Sequence, residues 1–311
     1  MKKDKKIAEK MIKKTNIIKD FKEIAHDIFS EEDRLLLNRE KLKITPSPHE
    51  IDEEELIHDL RVNLRRLISL LYFYRPILKK EERKNLDEEL NLLIKSFGTQ
   101  RTYDILRKSV LKYTNSKKDL EGKGEGTKNT LLNLIEEYVQ NSDSERNKTK
   151  KLTPDDPEFK SIYESVYLKL MESEKNLFKI KKSGKIENLH HYKEERIQEL
   201  LKTLKEKEQE VDISKVKEIH RLRILGKNIF YTVNSFNEEF EETYKDFLGH
   251  LQKIQDIAGK IHDTEVNLSI LNNLLMGEEI HSIIEDFMSF LEREKAEKIV
   301  EFKGIIEEKI G

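Results

Sequence analysis

Cysteine and tryptophan are both absent from this 311-residue chain. Without cysteine there is no disulfide framework and no thiolate metal site, and the compartment is left open. Glycine and proline are scarce, at 11 and 5 residues, which leaves few turns and argues against an all-β chain. No apolar run approaches the ~20 residues that a membrane-spanning helix needs. None of signal-peptide length follows the basic N-terminus either. Net charge is almost missing too: 59 Lys and Arg stand against 61 Asp and Glu, a formal −2. No global field therefore draws the chain toward nucleic acid or membrane, and any anion site has to come from local segregation of charge. The expectation is a cytoplasmic protein with no membrane partner.

What the chain has in abundance is charge of both signs. Charged residues make up 39% of it, against about 25% in an ordinary domain, while hydrophobic residues are only 36%. This is the composition of long amphipathic helices. Helical periodicity runs nearly throughout. It predicts helices over about 4–44, 51–76, 80–96, 101–115, 127–140, 158–180, 188–209, 213–236, 240–258, 263–275 and 278–309, and no strand. Thr45-Pro46-Ser47-Pro48 ends the first stretch, because a residue before proline is pushed out of the α region. Phe97-Gly98-Thr99 and Gly259 are expected to break helices, the Lys/Gly stretch 117–126 to form a loop, and the polar stretch 141–157 to be a mobile linker. The expected fold is all-α.

Charge segregates in two places. Residues 58–80 carry six Lys or Arg and one acid, and residues 215–231 carry five and one. Within them lie His58-Asp59-Leu60-Arg61-Val62-Asn63-Leu64-Arg65-Arg66 and His220-Arg221-Leu222-Arg223-Ile224-Leu225-Gly226-Lys227, 162 residues apart. Both place His, Arg and a further cation at i, i+3 and i+7, on one helical face. His58 lies 40 residues before Gly98, and His220 lies 39 before Gly259. Arg101 or Lys260 follows the glycine. An internal duplication is expected, each half a helix bundle.

At about 100° per residue, Arg61 and Arg65 fall within about 60° of His58, while Leu60, Leu67, Leu71 and Tyr74 lie opposite. Arg223, Lys227 and Tyr231 likewise fall within about 60° of His220, opposite Leu222, Leu225, Ile229 and Val233. The rows are therefore off the apolar stripes, which counts against core histidines. A merely solvated face would interleave acids at i+4 to relieve repulsion, yet after Asp59 the next acid is Glu81.

The pattern His-x-x-Arg-x-x-x-Arg-Arg, its degenerate second copy and the segment from Ile254-Gln255 to Asp263 resemble the CHAD domain (conserved histidine α-helical domain). The resemblance covers nearly the whole chain. It implies two pseudo-symmetric four-helix bundles, about 1–140 and 158–311, with a basic central cavity between them. It also implies binding of inorganic polyphosphate there, with no catalysis, on His58, Arg61, Arg65 and Arg66 of the first motif and His220, Arg223, Lys227 and Tyr231 of the second. Arg101 and Lys260 match cations near the glycines. Location on polyphosphate granules is the associated expectation. Ile68, Asn228 and Phe230 stand where the family often has further cations, and Thr102 where it usually has Asp, so the second row is the thinner of the two.

The chemistry suits that reading. Polyphosphate has no bases to read, so only contacts to phosphate oxygens are available, and Arg bonds two of them with its planar fork. The imidazoles of His58 and His220 can donate even when neutral, and a bound polyanion favours their charged form. Asp263 and Thr264 read as a helix cap or, for Asp263, as a partner that orients a cation. Gln255 reads equally as surface or as a contact between helices. Histidines 190, 191, 250, 262 and 281 lack the paired spacing of a helical metal site, so neither metal nor cofactor is expected. The Glu-x-Glu-x-Lys mark of the triphosphatase domain sometimes fused to CHAD is missing, as are a P-loop and a nucleophile elbow. Two other readings remain: a purely structural interaction bundle, and a nucleic-acid phosphate-backbone binder. Missing tryptophan and sparse aromatics on the rows disfavour the second.

Overall fold

The structure, a computed structural model, describes residues 53–96, 98–121, 124–146, 157–172, 177, 188–274 and 278–308. Nine α-helices account for nearly all of these, and no strand occurs among them. They are α1 (Glu53–Phe73), α2 (Lys80–Ser96), α3 (Gly98–Glu121), α4 (Gly124–Arg146), α5 (Pro157–Met171), α6 (Leu189–Glu210), α7 (Val216–Ser235), α8 (Asn237–Asn273) and α9 (Glu278–Glu307). No described helix is long and apolar enough to cross a membrane. The helices expected at 4–44 lie outside the described residues, as does most of the 141–157 stretch.

Two compact units emerge, each drawing on both sides of that stretch. The first contains α1, α2, α5, most of α6, α7 from Leu225 onward and the start of α8. Leu60, Leu64, Leu67 and Leu71 recur along α1, Leu86, Leu90 and Leu93 along α2, and Phe159, Tyr163, Val166 and Leu170 along α5, all buried. Steps of three and four keep each set on one face of its helix. Each buried Leu contributes about 1.5–3 kcal/mol, so these stripes outweigh the surface ion pairs. At the end of α1, Phe73 meets Phe236 with ring centroids 5.3 Å apart, and Tyr74 stacks on Tyr192 at 6.2 Å. The buried Arg196 donates through Nε to the Phe73 carbonyl at 3.2 Å, satisfying an orphan group at the C-terminus of α1.

The second unit contains α3, α4, the end of α6, the first part of α7, most of α8 and α9. Its core interleaves Leu106, Val110 and Tyr113 of α3, Leu131 and Ile135 of α4, Leu268 and Leu271 of α8, and Ile284, Phe287 and Leu291 of α9. The Tyr113 hydroxyl donates to Asp286 at 3.0 Å, and Lys117 pairs with the same carboxylate. Lys117 holds the Asp286 carboxyl below its ordinary range, chiefly by that hydrogen bond.

Three expectations need correction. Gly259 does not break a helix: α8 runs unbroken for 37 residues through it. A helical glycine costs about 1 kcal/mol relative to Ala, which a long, well-buried helix absorbs. Asp263 and Thr264 consequently cap nothing; Thr264 lies within α8 and returns its hydroxyl to the Lys260 carbonyl at 2.9 Å. The Lys/Gly stretch 117–126 is largely helical as well, belonging to α3 up to Glu121 and to α4 from Gly124.

Candidate functional site

The first basic row occupies the N-terminal part of α1. His58 is exposed, Arg65 and Arg66 are half-buried, and Arg61 is only 9% exposed. Burial does not simply follow distance along the row, since Arg61 is more buried than Arg65 and Arg66. Ser69 projects only about 20° from His58, and it is buried at 1% exposure. The stripe that begins at exposed His58 thus ends on packed structure at Ser69. His58 and Arg65 make no hydrogen bond or ion pair among the described residues. Arg66 is held by neutral oxygens, Asn63 Oδ1 at 3.1 Å and Ser235 Oγ at 3.4 Å. Its charge is oriented without being neutralised.

What holds the buried end of the stripe is the second basic helix. Within the first unit, Thr232 on α7 donates its hydroxyl to the Ser69 carbonyl at 3.2 Å, and Ser69 Oγ lies 3.5 Å from Asn228 Oδ1. With Arg66–Ser235, these contacts seat α1 on α7 through small polar groups. Lys227 and Tyr231, both half-buried, occupy that same part of α7. The structure thus brings the first row beside Lys227 and Tyr231 on neighbouring helices. Asn228 and Thr232, which add no charge to the row, are the residues that make the junction.

His220 and Arg223 lie on the other part of α7, in the second unit. The start of α7 is fixed locally. Glu218 accepts the Asp212 backbone N–H at 2.8 Å, and hydrogen bonds from Lys215 and Ser214 hold the exposed Asp212 carboxyl at about 2. The His220 ring packs on the His262 ring of α8, with centroids 4.6 Å apart and planes tilted by 34°. The Arg223 guanidinium lies against Gly259, where a Cβ would stand 3.5 Å from Nη2. Gln255, one turn earlier on α8, is 8% exposed, and its buried Nε2 has no hydrogen-bond partner. The surface reading of Gln255 is therefore wrong.

Arg101 belongs to the first turn of α3, and its side chain is not among those described. Lys260 is exposed, with its charge near enough to Glu301 to help lower that carboxyl, after the larger effect of Lys298. His262 had no role beyond its lack of a metal partner. A signal was available in the spacing: aligning Gly98 with Gly259 puts Arg101 in register with His262, three residues on, rather than with Lys260. The other histidines are accounted for locally. His190 stacks on Phe240 at 4.9 Å. His191 and His281 face Glu195 and Glu285 on their own helices. His250 meets Glu208 at 3.2 Å in a buried pair.

Comparison with known proteins gives the family and the fold. The sequence pattern described as "CHAD domain" matches residues 39–272. Among solved structures, the CHAD domain from the plant Ricinus communis superposes with a TM-score of 0.63 at 17% identity, covering 94% of this chain and 92% of that one. PptA from Streptomyces chartreusis superposes with a TM-score of 0.59 at 10% identity, covering 92% and 98%. At such identities the likeness concerns the fold. A search of curated proteins found no match. The match to the family pattern spans well over half the chain and includes both basic rows: this protein belongs to the CHAD domain family.

Proposed function

We propose that this protein binds inorganic polyphosphate along its two basic rows and catalyses no reaction on it. The observation that carries this reading is the junction of α1 with α7. It sets Arg65 and Arg66 beside the helix that bears Lys227 and Tyr231, and neither arginine has an acidic partner among the described residues. Adjacent arginine charges without an acid to relieve them are costly, and a polyanion lying along Arg65 and Arg66 offsets that cost. Steps of one helical turn, about 5.4 Å, suit a linear chain of phosphates that offers only oxygens to bind. Location on polyphosphate granules in the cytoplasm forms part of the same proposal.

The test is retention on immobilised polyphosphate. Arg65→Ala combined with Arg223→Ala should leave the helical circular dichroism unchanged and remove most binding. Unchanged retention would place the site elsewhere. RNA competing equally with short polyphosphate at fixed salt would favour a general phosphate-backbone binder. Absence of any salt-sensitive anion binding would favour a purely structural bundle.

A further inference from the structure

We infer that His262 is a phosphate-binding residue, and that with His220, Arg223 and Gln255 it forms a compact pocket for one phosphoryl group in the second unit. This rests on the polyphosphate reading above and adds to its second row two residues of α8, His262 and Gln255.

The geometry begins with α8. Gln255, Gly259 and His262 fall at i, i+4 and i+7, within about 60° of one another in projection, so they share one face. That face is turned toward α7 at two points: Gly259 meets the Arg223 guanidinium, and His262 meets the His220 ring. At Gly259, the only position in the stripe without a side chain, a Cβ would stand 3.5 Å from the guanidinium Nη2. Two imidazoles, a guanidinium and a primary amide meet here, all of them N–H donors; half-buried Asp263, one turn beyond Gly259, is an acid on the same side of α8.

The second observation concerns Gln255. Its amide is more than nine-tenths buried, and Nε2 has no partner. Leaving a buried donor unpaired costs about 1–3 kcal/mol, a cost that an acceptor oxygen on the same face removes. The ring pair is the third. Two imidazoles in tilted contact, 4.6 Å between centroids, can both donate to a shared anion. A tetrahedral oxyanion, with oxygens pointing several ways at once, can accept from donors on two helices. A planar carboxylate has only two oxygens to offer. Register with Arg101 makes His262 the second-half counterpart of a cation, where Lys260 lies exposed on another face of α8.

Tripolyphosphate is the probe. In the wild-type protein its addition should shift the ring resonances of His220 and His262 together, leaving His281, which faces Glu285, unmoved. His262→Phe keeps a ring against His220 and removes both nitrogens. It should keep its melting temperature and weaken tripolyphosphate binding about 10-fold, the loss expected for one charge-assisted hydrogen bond. Wild-type affinity in His262→Phe, or unmoved ring signals, overturns the pocket. If Arg65→Ala with Arg66→Ala still loses binding in that case, the polyphosphate reading stands without it. No binding of any polyphosphate by the wild-type protein overturns both. Should His262→Phe fail to fold, the ring shifts of the wild-type protein decide.

Discussion

Two kinds of arginine coexist in this chain, and burial separates them. Arg196 is 5% exposed and spends its Nε on the Phe73 carbonyl; Arg65 is half-buried and bonded to nothing described. Replacing Arg196 with Leu leaves that carbonyl unsatisfied. It should lower unfolding stability by about 2 kcal/mol, the usual value of a hydrogen bond to a charged group, as read by urea denaturation. Arg65→Ala should change stability by less than about 0.5 kcal/mol and act on binding alone. The histidines bring a second effect at this scale. A bound polyanion favours protonated His58 and His220, so affinity should rise as pH falls from 8 to 6. Calorimetric titration at both pH values checks this, and a flat profile removes the histidines from the site.

At the scale of elements, α8 and the α3–α9 staple each support a test. Gly259 sits mid-helix with ordinary van der Waals room for a Cβ. Gly259→Ala should therefore raise the melting temperature, gaining up to about 1 kcal/mol of helix propensity. Gly259→Leu should displace the Arg223 guanidinium and weaken polyphosphate binding while the protein stays folded. The Asp286 carboxyl, depressed chiefly by the Lys117 hydrogen bond and also by that from Tyr113, contributes stability above the ordinary carboxylate value near 4. That contribution is lost as pH falls through its lower folded value. The melting-temperature gap between the wild type and Asp286→Asn should hold from pH 7 to 5 and close toward pH 2. A gap that widens in acid would contradict the assignment.

For the molecule as a whole, the quantity to measure is the salt slope. A chain of net charge −2 has no long-range attraction for polyanions, so binding depends on local contacts and the counterions they release. With roughly six to eight contacts and ~0.7 counterions per contact, affinity should fall about 10³-fold between 50 and 200 mM salt. A fall of less than about 10-fold would mean that one row at most is engaged. The division into two units bears on the same point, because α7 contributes Lys227 and Tyr231 to one unit and His220 and Arg223 to the other.

Composition and periodicity alone determined that the chain is helical, where most helices lie, and which residues form the basic rows. These are local properties, set by spacing along one helix against the 3.6-residue repeat. The projection of His58 and Arg65 away from the apolar stripe needed no partner helix. What lay beyond reach was decided by packing. That α8 passes straight through Gly259 depends on the burial that offsets a weak residue. That α1 meets α7 at Ser69 and Thr232 depends on which faces find each other, and no period records that. The same holds for His262. Its register with Arg101 was present in the spacing, but a lone histidine within a helix has many uses. Only the ring of His220 lying 4.6 Å away singles it out, because pairing across helices is a property of the folded core rather than of either segment.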